Sequence, residues 1–313
     1  AVIVDGTFGA GGYTKALLES GNRRVIAIDR DPTVAEFVEP LAEQYEDRFQ
    51  FISGTFGEMG TLLTDEGIDT VDGIVLDLGV SSMQLDQPMR GFSFRYDGPL
   101  DMRMGDEGQT AADVVNSLDE GELADIIYQL GEERRSRQVA AAIVRARAEK
   151  PIESTLELAE IVRPVVRKGA SRKAGEKIDP ATRTFMALRL YVNDELGEVQ
   201  RGLHAAEQLL KPGGVLAVVS FHSLEDRLVK LFLRDRATPP GATSRHLPAL
   251  PPQSPKDGRG DAAFEPTFQF DKALGGSRGI TPSEEEQETN ARARSSRLRA
   301  AIRTDAPARE VAA

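Results

Sequence analysis

The chain has 313 residues, 40% of them hydrophobic: about two domains' worth of globular sequence, or one fold carrying a long insertion, and outside the composition of disordered or fibrous proteins. With no cysteine and only three histidines, His204, His222 and His246, disulfides, iron–sulfur clusters, thiolate zinc sites and a cysteine nucleophile are excluded, and no metal site is expected. A net charge of −11 excludes capture of nucleic acid by the surface as a whole, which leaves that task to local clusters of Lys and Arg.

No apolar run reaches the ~20 residues that cross a bilayer, and the start shows neither a basic segment nor a small-residue cleavage site. A soluble, cytoplasmic protein without membrane partners is expected. The first residue is not Met, so a trimmed natural N-terminus is also expected.

The opening residues 1–5 are short, apolar and β-branched and run into Gly6-Thr7-Phe8-Gly9-Ala10-Gly11-Gly12, which predicts a strand and a tight turn. A helix over 13–19 closed by Gly21 and a strand over 24–28 ending at Asp29 complete a βαβ unit. A helix holding Phe37, Val38, Leu41 and Tyr45 then leads to a strand over 49–53, and the run 73–76 ends at Asp77. Buried strands alternating with helices predict a parallel sheet covered on both faces. From about 101 to 178 the pattern turns to helix after helix, over 110–115, 120–130, 132–148 and 156–166, and residues 182–210 are again helical. Lys211-Pro212-Gly213-Gly214 stops that helix, after which 215–221 is an apolar strand that resumes the sheet. Pro and Gly recur without periodicity over 238–281, which predicts a long loop.

An open α/β sheet binds ligands at the carboxyl ends of its strands, so Asp5, Asp29 and Asp77, each closing an apolar strand, should line one crevice. The first turn places Thr14 where the dinucleotide fingerprint requires its third glycine. Counted from Asp5, the glycines four and six residues on, Gly9 and Gly11, resemble the acidic, glycine-rich turn of class I methyltransferases, with Thr7 at its middle position; a plain tight turn is the alternative. Asp29 lies about 20 residues past the loop, where a carboxylate can hold an adenosine ribose, or it caps a helix before Pro32. The Lys-Pro-Gly-Gly approach to a late strand also resembles class I methyltransferases.

The stretches Asp77-Leu78-Gly79-Val80-Ser81-Ser82-Met83-Gln84-Leu85-Asp86 and Arg90-Gly91-Phe92-Ser93-Phe94-Arg95-Tyr96-Asp97, followed by Gly98 to Met104, resemble the signature of the ribosomal RNA small subunit methyltransferase H family. Further matches are Gly131-Glu132-Glu133-Arg134, residues 180–198, Ser220-Phe221-His222-Ser223-Leu224-Glu225-Asp226-Arg227, and residues 290–304, so the resemblance covers essentially the whole chain. It implies transfer of a methyl group from S-adenosylmethionine to N4 of a decoding-centre cytosine in 16S ribosomal RNA, within the small ribosomal subunit. The implied fold is α/β, a Rossmann-like class I methyltransferase sheet formed by 1–102 and 180–313, with a helical, substrate-recognising insertion at 103–179. A homodimer is among the assemblies the sequence allows.

Carried over residue by residue, the family's cofactor site implicates Gly11, Gly12, Tyr13, Asp29, Phe56, Asp77 and Gln84. Many members carry His at the position of Tyr13, which leaves a backbone or hydroxyl contact there. Without the resemblance, Phe56 reads equally as core packing and Gln84 as a solvated amide. Acceptors aimed at the amino hydrogens would favour a nucleophilic nitrogen in the transition state; Asp77, the Leu78 carbonyl and Ser81 are the candidates, although Ser81 and Ser82 also suit a helix cap. His222 reads as a substrate contact or a packed histidine. Glu225, Asp226 and Arg227 read as dipole partners and surface ion pairs.

RNA contacts are expected from Arg90 and Arg95 flanking Phe92 and Phe94, from the cluster Arg163, Arg167, Lys168, Arg172, Lys173 and Lys177, and from Arg292, Arg294, Arg297 and Arg299, because aromatics beside cations stack unpaired bases. Solvated helix faces are the alternative for the last two groups. Two rivals stand beside the methyltransferase reading: an NAD-dependent oxidoreductase on the same sheet, and an RNA-binding protein without activity.

Overall fold

The computed structural model describes residues 1–167, 179–237 and 265–309. The chain divides into two compact units, one of Ala1–Asp29, Val38–Leu78 and Glu198–Ala313 and the other of Arg30–Phe37 and Gly79–Gly197. The second unit contains the expected insertion at 103–179 but starts earlier, ends later and takes in residues 30–37.

The first unit is built on a seven-stranded sheet: β1 (Val2–Asp5), β2 (Arg24–Asp29), β3 (Phe49–Ser53), β4 (Val71–Asp77), β5 (Leu210–Ser220), β6 (Phe268–Gln269) and β7 (Arg297–Arg303), in the order β3-β2-β1-β4-β5-β7-β6. Pairings from β3 to β5 are parallel, while β7 runs antiparallel to both β5 and β6. This is a Rossmann-like class I methyltransferase sheet, and its strand order reverses between β1 and β4, where such sheets open their ligand crevice.

Both faces of the sheet are covered. Val25, Ile26, Ala27 and Ile28 of β2 are all fully buried, which alternation of side chains allows only if each face packs on something. One face, with Val4, Ile26, Ile28, Ile74, Leu76 and Leu216, packs on Met59 and Leu63 of α3 (Met59–Asp65), Leu203 and Ala206 of α10 (Glu195–Leu209) and Val229 and Leu233 of α11 (Ser223–Ala237). On the other, Val25 and Ala27 pair in register with Phe49 and Phe51, and both rings meet Phe8. Leu18 of α1 (Gly12–Glu19) and Leu41 of α2 (Ala35–Tyr45) are likewise buried.

Two departures from the sequence pattern lie at the far side of the sheet. The Lys-Pro-Gly-Gly segment belongs to β5: its register jumps from Val71↔Leu210 to Gly73↔Val215, so Pro212 and Gly213, at φ 83°, sit in a bulge where no ladder donor is required. The second is β7, whose arginines disguise a central strand. Arg299 is buried against Asp226, and Arg303 is buried with its guanidinium on the carbonyls of Glu207 and Thr267.

The second unit is helical: α4 (Ser82–Asp86), α5 (Ala111–Ser117), α6 (Glu120–Gln129), α7 (Ser136–Glu149), α8 (Thr155–Arg167) and α9 (Thr182–Val192). Reciprocal capping boxes start α5 at Thr110 and Asp113 and α6 at Asp119 and Glu122, satisfying donors that the first turn leaves orphaned. Val114, Leu123, Ile127, Val139, Ile143, Leu158 and Leu188 form the core. The single helical run expected over 182–210 breaks at Asn193 and Asp194, where Asp194 has φ 46°. There the Asn193 amide accepts from the Met104 N–H and donates to the Met102 carbonyl. Among the described residues no helix is long and apolar enough to cross a membrane.

Candidate active site

The register sets the heights of the three strand-end carboxylates. Asp5 lies opposite Ala27 and Val75, so Asp29 and Asp77 stand level with Thr7, one pleat further out. Asp29 and Asp77 therefore sit at the rim, and Asp5 beneath it, fully buried. Asp5 accepts from the Thr14 hydroxyl at 2.7 Å and the Thr7 N–H at 3.3 Å, tying the glycine turn to the first turn of α1. Burial, reinforced by the charge of Asp29, pushes its carboxyl up to about 6 against those two hydrogen bonds.

Thr7 also accepts the Asp77 N–H at 2.6 Å, and Asp29 accepts the Gly9 N–H at 2.7 Å. The turn is thus hung between the two rim strands. Gly11 starts α1 at φ 76° without a side-chain cap, and a Cβ there would meet Phe8 and Leu41 at 3.0 Å. A Cβ on Gly12 would meet nothing within 4 Å. Glycine at 11 answers the left-handed backbone, and the uncapped amides that follow suit an anionic group.

Asp77 carries the electrostatics of the rim. Burial first, then the carboxylates of Asp5 and Glu225, push it up to about 7, and its Oδ1 has no hydrogen-bond partner. The same charges act on Tyr13: burial, then Asp77, Asp5 and Glu286, push its phenol up to about 12. Phe56, in the turn after β3, packs beside Gly6 and against Gly202, where a Cβ would approach its ring to 2.6 Å. It is partly buried and packs against the core.

Glu225 departs from its expected surface role. It is buried, its Oε2 accepts the N–H groups of Phe221 and His222 at 2.8 and 3.2 Å, and its Oε1 lies 3.0 Å from Nε2 of His222. Asp226 pairs with Arg299, which removes that arginine from any RNA-facing tail.

The second unit holds Ser81, Gln84 and the segment from Arg90 to Asp97, while Arg292, Arg294 and Arg297 belong to the first. Gln84 is buried; its Oε1 accepts the Ser81 N–H at 3.0 Å and its Nε2 donates to Asp31 at 2.7 Å. The Ser81 hydroxyl accepts the Gln84 N–H, closing a capping box on α4. Arg90 pairs with Asp31 at 2.9 Å and donates to the carbonyls of Arg103 and Met104. Phe92 belongs to the core of this unit, and Phe94 packs edge-on to Phe185 beneath Arg163. Arg95, Tyr96 and Asp97 are the exposed members of that segment. Arg163 is paired with Asp179, while Lys168, Arg172, Lys173 and Lys177 lie outside the described residues.

The family model of the MraW methylase family matches residues 1–304. The chain belongs to the MraW methylase family. Among relatives, the ribosomal RNA small subunit methyltransferase H of Rhodospirillum centenum is 58% identical over 99% of this chain and 89% of that one. The protein of the same name from Methylorubrum populi is 56% identical over 97% and 82%. Among solved structures, an rRNA methylase from Streptococcus thermophilus aligns at 11% identity and TM-score 0.33 over 76% of this chain and 74% of that one, too distant to bear on fold or function.

Within this MraW-family chain the residues that sequence reasoning missed are those that hold the named ones: Thr7 and Thr14 beneath the glycine turn, Asp31 beneath Gln84, and Glu225 beside Asp77. Single threonines and acids carry no periodic signal. Only the Ser81–Gln84 spacing advertised its capping box.

Thr14→Val tests the support under the turn. It keeps the shape and deletes the donor to a buried carboxylate, an expected cost of about 1–3 kcal/mol. Because Asp5 is ionised only above about 6, the loss of Tm is expected to be larger at pH 8 than at pH 5. Equal losses at both values would remove the hydroxyl from the ionisation of Asp5.

Proposed function

We propose that this MraW-family chain methylates N4 of a decoding-centre cytosine in 16S ribosomal RNA, acting in the cytoplasm on the small ribosomal subunit with S-adenosylmethionine as donor. The family match over residues 1–304, to relatives named for the small subunit RNA, carries the reading. The cytosine and its N4 come from the signature around Asp77 and Arg90.

The rim of the first unit fits the donor. Its unpartnered Asp77 Oδ1, the uncapped start of α1 and the open space over Gly12 suit a ligand with both anionic and cationic groups. When bound, S-adenosylmethionine supplies a sulfonium-activated methyl group, so that the new C–N bond forms as the C–S bond breaks and sulfur keeps the electron pair. Gly11, Gly12 and Tyr13 would admit the amino-acid end, Asp29 would accept from the ribose hydroxyls, and Phe56 would cover the adenine. Gln84, held by Asp31 and Ser81, would supply a further polar contact.

For the acceptor the chain mainly provides position, which for well-oriented reactants supplies ~7–11 kcal/mol. Asp77 Oδ1 would accept an amino hydrogen of the base, and after transfer the nitrogen's surplus proton goes to that oxygen or to water. Ser81 would assist from its cap position. The helices of residues 103–179 would recognise substrate, with Arg95, Arg172 and Lys173 holding phosphates and Arg90, Phe92 and Phe94 shaping that segment. The target base must leave its stack for its edge to reach the methyl carbon.

The deciding experiment is methyl transfer from labelled donor to small ribosomal subunits lacking the modification, with the product nucleoside identified; N4-methylcytidine is expected. Selective binding of S-adenosylhomocysteine over NADH separates the reading from an oxidoreductase. Asp29→Ala is expected to weaken S-adenosylhomocysteine by about tenfold, the worth of a charge-assisted hydrogen bond; unchanged affinity would take the ribose away from Asp29.

A further inference from the structure

β4 and β5 leave the sheet side by side: Asp77 lies opposite Val219, and the Leu78 N–H donates to the Val219 carbonyl at 2.9 Å. Three residues after Val219, His222 precedes α11 and caps it. Its Nδ1 faces the Glu225 N–H at 3.4 Å, while Glu225 Oε2 accepts the His222 N–H in return. An Nδ1 used as an acceptor leaves the proton of a neutral imidazole on Nε2. Although that nitrogen lies 3.0 Å from Glu225 Oε1, it is not aligned on it, and it is buried without a hydrogen-bond partner. Asp77 Oδ1 is unpartnered in the same way. Glu225 joins the two residues, touching the imidazole and acting electrostatically on Asp77.

Neighbouring strand ends therefore present one unpartnered acceptor and one unpartnered donor; buried polar groups without a partner are uncommon, and a bound ligand is one thing that completes them. Cytosine has the complementary edge: an amino donor at N4 beside an acceptor at N3. Uracil has the reverse, an acceptor at O4 beside a donor at N3, and would set like groups against each other.

We propose that His222 is a base-reading residue, its Nε2–H donating to the ring nitrogen N3 of the target while Asp77 Oδ1 accepts from N4. The inference rests on the cytosine-N4 reading above and adds the device by which an amino edge is told from a keto edge. Adenine presents the same two groups as cytosine, so the pair selects amino over keto and leaves the exclusion of purines to the shape of the site.

Two substitutions separate base reading from helix capping, because they divide the imidazole between them. His222→Asn keeps an acceptor near the place of Nδ1, and Asn is a favoured cap, but it has nothing where Nε2 stood. His222→Gln carries an N–H out toward the Nε2 position and caps poorly. Expected for the Asn variant are a Tm close to wild type, unchanged S-adenosylhomocysteine affinity, and kcat/KM on small subunits lowered about tenfold or more. Expected for the Gln variant are a lower Tm and a higher kcat/KM than the Asn variant, so stability and activity rank in opposite orders. An Asn variant as active as wild type, or activities that follow stability, would overturn the inference while leaving the function intact. Failure of the wild-type chain to form N4-methylcytidine would overturn both.

Discussion

Asp77→Asn is expected to lower methylation of small ribosomal subunits by about 10²–10³-fold while making the protein more stable at pH 8. The two effects have one origin. Asp77 is held at about 7 by burial and by Asp5 and Glu225, whereas in the unfolded chain it titrates at the ordinary 3.8. An acid whose folded value lies above its unfolded value favours the folded state fully at low pH, and that contribution is lost as pH rises through the folded value. At pH 8 the ionised carboxylate therefore costs up to about 4 kcal/mol, and the amide, of the same shape, removes this cost. A Tm gain of several degrees at pH 8 that is markedly smaller at pH 5 is the expected pattern, read by thermal denaturation at both values. A carboxylate that accepts an amino hydrogen works only when ionised, so wild-type kcat/KM is expected to rise with pH through about 7. A stability gain equal at pH 5 and pH 8 would refute the raised ionisation, and a flat pH profile would refute its role in the reaction.

Arg90→Ala is expected to destabilise the protein by about 3–5 kcal/mol, the cost of leaving a buried charge without its partner. Asp31 is 3% exposed, and burial pushes its carboxyl up. Hydrogen bonds from Thr33 and Gln84, with the charge of Arg90, more than offset this and hold it below its ordinary value. Lowered carboxylates contribute stability above their unfolded value and lose it as pH falls through the folded one, so the variant's deficit should shrink in acid. The guanidinium also satisfies the carbonyls of Arg103 and Met104. An arginine whose main task was an RNA phosphate would behave otherwise: full thermal stability, weaker RNA affinity and a shallower dependence of binding on salt. Measuring Tm and the salt slope on the same variant separates the two, and the structure leads to the first.

That result bears on how RNA contacts are read from sequence. Aromatics between arginines suggested a stacking platform at Arg90, Phe92, Phe94 and Arg95, yet Phe92 is buried among Leu100 and Met102 in the helical core, and Phe94 packs edge-on to Phe185. Of that segment Arg95, Tyr96 and Asp97 face solvent. Composition cannot distinguish an aromatic that awaits a base from one that already has a protein neighbour, since both need the same residue type.

The sheet was legible for a physical reason. Strands buried on both faces must be apolar throughout, which residues 2–4, 25–28 and 73–76 display, and a carboxylate closing each of them marks the end where solvent begins. The glycines at 9 and 11 announce a backbone that other residues adopt with strain, and order along the chain suffices to place the crevice. None of this required knowing which strands are neighbours.

Neighbours are what tertiary structure decided. Only the pairing of β1 with β2 and β4 puts Asp5 below the rim and Asp29 and Asp77 on it; only the β4–β5 pairing lets Glu225, from about 150 residues away, act on Asp77. Likewise β7 reads as a basic surface segment until Asp226 and the carbonyls of Glu207 and Thr267 are seen to take its arginines. Residue type and spacing specify which local conformations and chemistries are available. How far a carboxylate shifts, which polar atom stays unpaired and which arginine is removed from solvent depend on distances between segments remote in sequence, and those distances exist only once the chain has folded.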